Sequence, residues 1–383
     1  MHDLTDRLRA LRRDLHRHPE LGFQEARTKA VVARQLRALG LEVYEGAGVV
    51  GILRAGGGNR AIGLRADMDA LPIREAAIHD HASRNEGVMH ACGHDGHTVM
   101  LLGAAERLAR EGGFDGTVVF LFQPAEEHGQ GAKAMIGEGV LKRFEVEEVY
   151  AIHNLPGAPL GQISTRTGLI CSSESLFEIA IRGRGGHASM PQAGVDALSV
   201  AAEMVGSLQT IVSRRLAPGS GAVVSVTEFV TDGQRNVLPG RAVLKGDARA
   251  RAAADRDAIE GHMRRIAAGV AAAHGAEVAV TFETVFVETI NSAVPTQAAC
   301  RAAQATGLAV IRERPPMSFS EDFAHFCAAV PGCLVLIGNG EEGPHGQPLH
   351  SDGFDFNDAL LPLGAEFWLR LVRDRLPKER QRP

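Results

Sequence analysis

Between Ser173 and Glu288 the sequence runs strand, helix, strand, strand, helix, strand, and few folds accept that order in so short a stretch. Leu176 to Ile181 alternates as a strand and Asp196 to Ser213 has helical spacing. Ala222 to Phe229 and Ala242 to Ala248 read as strands, Asp255 to His274 as a helix and Glu277 to Val287 as a strand. This is the split β-α-β arrangement of a ferredoxin-like α+β domain, so residues 173–288 are expected to form a compact insert in a longer chain.

The flanking segments have a different rhythm. The 383 residues exceed a single usual core. From Leu4 to Leu39 two helices are expected, broken at His18-Pro19-Glu20, because proline disfavours helix in the residue before it. Val49 to Arg54 and Ala61 to Ala66 read as strands joined in a hairpin by Gly56-Gly57-Gly58-Asn59. A helix over His97 to Ala109, a strand over Thr117 to Phe122 and a strand over Glu148 to Ile152 ending at His153 follow. After the insert come a helix (Thr296 to Thr306), a strand (Cys333 to Ile337) and a striped helix (Asp358 to Val372). Strands alternating with helices predict an α/β mixed sheet. The expected organisation is a discontinuous domain, residues 1–172 plus 289–383, with residues 173–288 as a lid.

Charge and composition exclude several classes. A net charge of −5 and an aromatic share of 5% offer neither a basic stripe nor a stacking platform for nucleic acid. Five cysteines, at 92, 171, 300, 327 and 333, lack the spacing of a disulfide framework and suit a reducing compartment. The charged opening MHDLTDRLRALRRDLHRHPE is no signal peptide, and no later run has the roughly 20 apolar residues of a membrane span. A cytoplasmic protein without membrane association is expected.

The chemistry concentrates in His90-Ala91-Cys92-Gly93-His94-Asp95-Gly96-His97, where metal-ligand side chains crowd a loop that two glycines allow to turn tightly. Glu126-Glu127 follows the apolar strand TVVFLF and a QPA turn. Adjacent residues project to opposite sides, so one carboxylate can bind metal while its neighbour handles protons. His153 and His350, each weak alone, complete with Cys92, His94 and Glu127 a set suited to borderline metals. His16 and His18 read as turn residues, and Asp322 is left without an assigned role, since capping explains an acidic residue at a helix start as well as a place near the site does.

The ordered motifs RRDLHRHPELGFQE, RADMDALPI, HACGHDGHTVMLLGAA, FQPAEE, GRGGHAS, NVLPG, SEDFA and LHS carry a resemblance. From about Arg12 to the C-terminal helix the chain resembles the hippurate hydrolase branch of the aminoacylase and carboxypeptidase metallopeptidases. Auxin-conjugate hydrolases and N-acyl-amino-acid deacylases belong to the same branch. The resemblance implies a two-metal catalytic domain and a smaller lid or dimerisation domain. By motif position the resemblance implies that Cys92 would bridge the metals, that His94, Glu127, His153 and His350 would be the other ligands, and that Glu126 would be the general base. His187 would stabilise the tetrahedral intermediate, while Asn236 and Arg249 would contact substrate. More distant relatives place aspartate at the cysteine position and His-x-Asp where this chain has Arg65-Ala66-Asp67-Met68-Asp69, which leaves Asp67 and Asp69 without assigned roles.

The implied activity is hydrolysis of the amide bond of N-acyl amino acids, with acetyl, benzoyl or similar acyl groups. It needs two divalent metal ions per subunit, Zn, Mn, Co or Ni. A dipeptidase or carboxypeptidase on the same site is the near alternative, and a non-catalytic metal-binding protein the distant one. Glu126 opposes the latter, since a binder has no use for a proton shuttle. A lid edge strand can pair with its copy in a homodimer or higher homo-oligomer, and can equally face solvent.

Overall fold

A computed structural model describes residues 2–378. The chain divides into two units, the first running to Ile170 and comprising also Thr289–Pro315 and the residues from Glu321 onward. The second is Cys171–Glu288 with Pro316–Ser320. No periodicity announces that last segment; Met317 O accepts bonds from the backbone N (3.2 Å) and Oγ (3.0 Å) of Ser172.

The first unit opens with α1 (His2–Arg17) and α2 (Ala26–Ala38), broken at Pro19 as expected. Next come β1 (Glu42–Glu45), β2 (Val49–Ala55), β3 (Ala61–Asp67), α3 (His94–Glu111) and β4 (Gly116–Gln123). They are followed by α4 (Gly131–Gly137), α5 (Val140–Arg143), β5 (Val146–Pro156), β6 (Ile163–Ser164) and β7 (Gly168–Cys171). The second unit holds β8 (Ser173–Arg182), β9 (Gly186–His187), α6 (Ala197–Leu208), β10 (Val223–Thr231), β11 (Val237–Leu238), β12 (Arg241–Ala250), α7 (Ala253–His274) and β13 (Glu277–Phe286). The chain then returns to the first unit through β14 (Thr289–Asn291), α8 (Ala293–Ala305), β15 (Val310–Ile311), α9 (Ala324–Ala329), β16 (Gly332–Gly340) and α10 (Leu360–Arg375).

The main sheet has the order β1-β2-β4-β3-β5-β16-β6-β15. β4, β3, β5 and β16 are parallel neighbours, and every residue of β3 is buried, as parallel strands covered on both faces must be. The expected hairpin of β2 and β3 does not form. β4 lies between them, antiparallel to β2 and parallel to β3. A strand as apolar as GTVVFLFQ is best covered with a neighbour on each edge, and the glycine turn spans the gap, held by Asp115 Oδ1 accepting from Gly58 N (2.7 Å). β5 also runs past the expected end, so His153 sits inside a strand.

Helices α3 and α10 pack where Gly364 leaves space: a Cβ there would meet Met100 Sδ at 2.1 Å. Trp368, Phe367, Leu101 and Val118 share the resulting core, each fully buried large side chain contributing ~1.5–3 kcal/mol.

In the second unit β10-β12-β8-β13 form an antiparallel sheet, the ferredoxin-like order expected from the element sequence. Ile179, Leu244, Met204 and Met263 belong to its core. Among the described residues no helix is long and apolar enough to cross a membrane.

Candidate metal centre

The site grows from two abrupt backbone turns and the ends of two strands. Gly93, just before α3, has φ +91°, a conformation side chains resist. A Cβ there would also meet Asn154 Oδ1 at 2.4 Å. The glycine thus lets Cys92 and His94 leave the chain side by side. After β4, Ala125 takes φ +47°, and its N–H donates to Glu25 Oε1 (2.8 Å), which holds the turn that delivers Glu126 and Glu127. His350 is a third left-handed residue, φ +63°, tied by its N–H to Ala91 O (2.8 Å).

These turns bring together the five side chains expected to bind metal. Cys92 Sγ lies 3.4 Å from His153 Nε2. Glu127 Oε1 lies 3.4 Å from His350 Nε2 and 3.9 Å from His94 Nε2. The donors of Cys92, His94 and His153 fall within 4.8 Å of one another, and so do those of Cys92, Glu127 and His350. Cys92 therefore belongs to both sets.

Ring orientation favours this convergence. His94 Nδ1 faces the carbonyl oxygen of Asp69 (2.9 Å), which can only accept, so Nδ1 carries a proton and Nε2, turned toward Glu127, is the nitrogen that would ligate a cation in place of its own proton. His153 Nδ1 likewise donates to Asn154 O (2.7 Å) and turns Nε2 toward the thiol. His94 Nε2 and Glu127 Oε1 are buried without any hydrogen-bond partner. Such orphans are rare, and a divalent cation among them would satisfy both. The thiol, imidazole and carboxylate donors fit two such ions.

The electrostatics agree. Burial alone would lower the pKa of His94, but Asp67, Asp69 and Glu127 outweigh it and push the value up to about 10. That same negative field would stabilise a dication. Burial, then the carboxylates of Glu127 and Glu126, raise the Cys92 thiol well above its ordinary value. His153 stays neutral, its pKa lowered by burial and by His97 beside it. Burial and the surrounding Glu321, Glu127 and Asp322 push the Glu126 carboxyl well above the usual range.

Several residues escaped the sequence reading. Asp67 joins Arg65 (2.6 Å) to His97 (2.7 Å), and Asp69 Oδ2 accepts from Glu127 N (3.1 Å). Asp322 does not cap its own helix: it is fully buried, bound by Arg65 and Gln123, and accepts from Ala132 N at the start of α4. His16 is no turn residue either; it is buried in α1 between Asp95 (2.8 Å) and Glu75 (3.1 Å). The available signal was charge within an apolar strand, since Arg65 and Asp67 interrupt the apolar run of β3.

The remaining expected residues lie in the second unit. His187 is exposed on β9, and its Nδ1 takes bonds from Ser189. β11 pairs with β9, placing Val237 opposite His187 and Asn236 O against Ala188 N (3.1 Å). Arg249 is engaged by Glu174 (2.9 Å), Asp247 (2.8 Å) and Ser320 Oγ (2.9 Å).

Residues 63–374 match the family described as peptidase family M20/M25/M40. The chain is 37% identical to a hippurate hydrolase of Campylobacter jejuni, covering 97% of both chains. It is 36% identical to an N-acetylcysteine deacetylase of Bacillus subtilis, covering 96% of both. A crystal structure of a Bacillus subtilis protein, described as a dinuclear metal-binding peptidase of the M20 family, is 31% identical and superimposes with a TM-score of 0.86 over 98% of this chain and 99% of that one.

Proposed function

Because the chain belongs to peptidase family M20/M25/M40, we propose that it is a metal-dependent amidohydrolase that splits N-acyl amino acids into an acid and a free amino acid. The observation that carries this reading is the double membership of Cys92, once with His94 and His153 and once with Glu127 and His350. A donor common to two sets would let those sets hold two divalent ions side by side. With one thiol and three imidazoles, Zn²⁺, Co²⁺ or Ni²⁺ suit the centre ahead of Mn²⁺.

When bound, the ions supply Lewis acidity that polarises the amide carbonyl and acidifies water. The protein's own contribution is proton management. Glu126 Oε1 is anchored by the N–H of Asp322 (3.2 Å), so Oε2 receives the proton of the attacking water and returns it to the departing amine. A carboxyl with a raised pKa suits that return. Without the return, the amine is a poor leaving group.

In the second unit we assign His187 as donor to the developing oxyanion and Asn236 as a substrate contact. Arg249, neutralised by Glu174 and Asp247, is assigned to the fold instead. Five cysteines scattered without the spacing of a disulfide framework support a reducing compartment such as the cytoplasm. Val223, Phe229 and Val230, exposed on the edge strand β10, support a homodimer through that strand.

The test is a side-by-side assay of hippurate, N-acetyl amino acids and dipeptides with protein loaded with Zn²⁺, Co²⁺ or Mn²⁺. Cleavage of the acyl amino acids, abolished by chelation, is expected. Preference for dipeptides would move the assignment to a peptidase, and failure on all three classes would overturn it.

A further inference from the structure

A second group of nitrogen and carboxylate donors stands in the first unit, made by residues to which the hydrolysis assigns no task. The loop beyond Leu71 carries Glu75, His79 and His81, and the segment after His350 carries Asp355. The two stretches are joined by a bond from Ala76 N to Asp352 O (2.9 Å). His79 and His81 stack with ring centroids 3.7 Å apart and planes inclined by 15°. His81 Nε2 lies 3.1 Å from Asp355 Oδ1, and His79 Nε2 lies 3.1 Å from Glu75 Oε1. Donor atoms of His79, His81 and Asp355 all fall within 4.8 Å of one another.

His79 is the informative member. Both of its ring nitrogens are shielded from water, and neither makes a hydrogen bond. Burial and the adjacent His81 lower its pKa, which keeps the imidazole neutral and its lone pair available. Asp355 supplies the negative charge: burial would raise its pKa, but the bond from His81 and the Arg12 guanidinium bring it down to about 2. Two imidazoles beside a carboxylate form a donor set for a borderline cation, whereas a shielded imidazole that makes no hydrogen bond, as His79 is, is a poor packing solution.

We propose that His79, His81 and Asp355 bind one further divalent cation of the Zn²⁺ class, outside the centre built on Cys92. A cation here fastens the Glu75–His81 loop to the segment that follows His350, a structural role rather than a catalytic one.

The test is zinc content per chain after loading with excess Zn²⁺ and gel filtration, for the wild type, His79→Phe and the double variant His79→Phe/His81→Phe. His79→Phe breaks no hydrogen bond, so it remains informative if the double variant fails to fold. Each folded variant should retain one ion fewer than the wild type, lose the part of the zinc-dependent rise in melting temperature due to that ion, and keep hydrolytic turnover. Equal zinc contents would overturn the proposal, and so would the loss of two or more ions, which would place these histidines at the main centre. The readout is a difference, so it does not depend on how many ions the Cys92 centre holds.

Discussion

The backbone N–H of Asp322 donates to Oε1 of Glu126 at 3.2 Å, across 196 residues of sequence. The carboxylate of Asp322 is in turn gripped by Arg65 (2.9 Å), Gln123 (2.8 Å) and Ala132 N (2.9 Å). The orientation of the proposed proton shuttle therefore depends on a segment that joins the first unit only after the chain has passed through the second.

Glu126→Gln keeps an oxygen to accept the Asp322 N–H but cannot take up or return a proton. Metal content should stay at the wild-type level while kcat falls about 10²–10⁴-fold. Elemental analysis beside steady-state kinetics checks this, and an active Glu126→Gln protein would remove the assigned role.

Arg65 is fully buried and faces Asp67, Glu321 and Asp322 at 2.6–2.9 Å. Arg65→Met would strand those carboxylates without their cation. Removing one partner of a buried ionic group typically costs about 3–5 kcal/mol, so the variant's denaturation midpoint should drop steeply. A change within the range of ordinary surface substitutions would contradict this account of the network.

His16 gives a pH signature. Burial would lower its pKa, but Asp95 and Glu75 outweigh burial and raise it from 6.5 to about 9. A group whose folded pKa is raised contributes its full stability below the unfolded value and loses it as pH climbs through the folded value. Stability due to His16 should thus be complete below pH 6.5 and be lost as pH climbs through about 9, a loss on the order of 3–4 kcal/mol at about 1.4 kcal/mol per pKa unit. Denaturant melts across that window should show a shallower slope for His16→Gln than for the wild type.

Cys92 predicts proton-linked metal uptake. Its thiol is held well above its ordinary pKa by burial and by Glu127 and Glu126, so it is protonated at neutral pH and must release that proton to ligate. Affinity should weaken about tenfold per unit of falling pH for each proton displaced. Competition titrations between pH 6 and 8 would detect this, with Cys92→Ser binding more weakly and with a shallower pH dependence.

Periodicity made the inserted ferredoxin-like unit legible because β8, β12 and β13 alternate and both helices are striped. The dense cluster from His90 to His97 and the pair Glu126-Glu127 were equally visible, since donors close in sequence announce themselves. The order of strands in the main sheet was not visible. A buried apolar strand carries no mark of its neighbours, and β4 entered between β2 and β3 where a local hairpin was expected.

What the sequence determined by itself was the set of local conformations and the inventory of ligand-type side chains near Cys92 and Glu127. Only the tertiary structure decided which distant groups complete them: His350 beside Glu127, Asp322 beneath Glu126, Asp95 against a buried His16, and Asp355 beside the stacked pair His79 and His81. The physical reason is that these contacts link polar groups whose partners lie far along the chain. Hydrophobic patterning reports which face of an element is buried, but not which polar group on another element will be there to meet it.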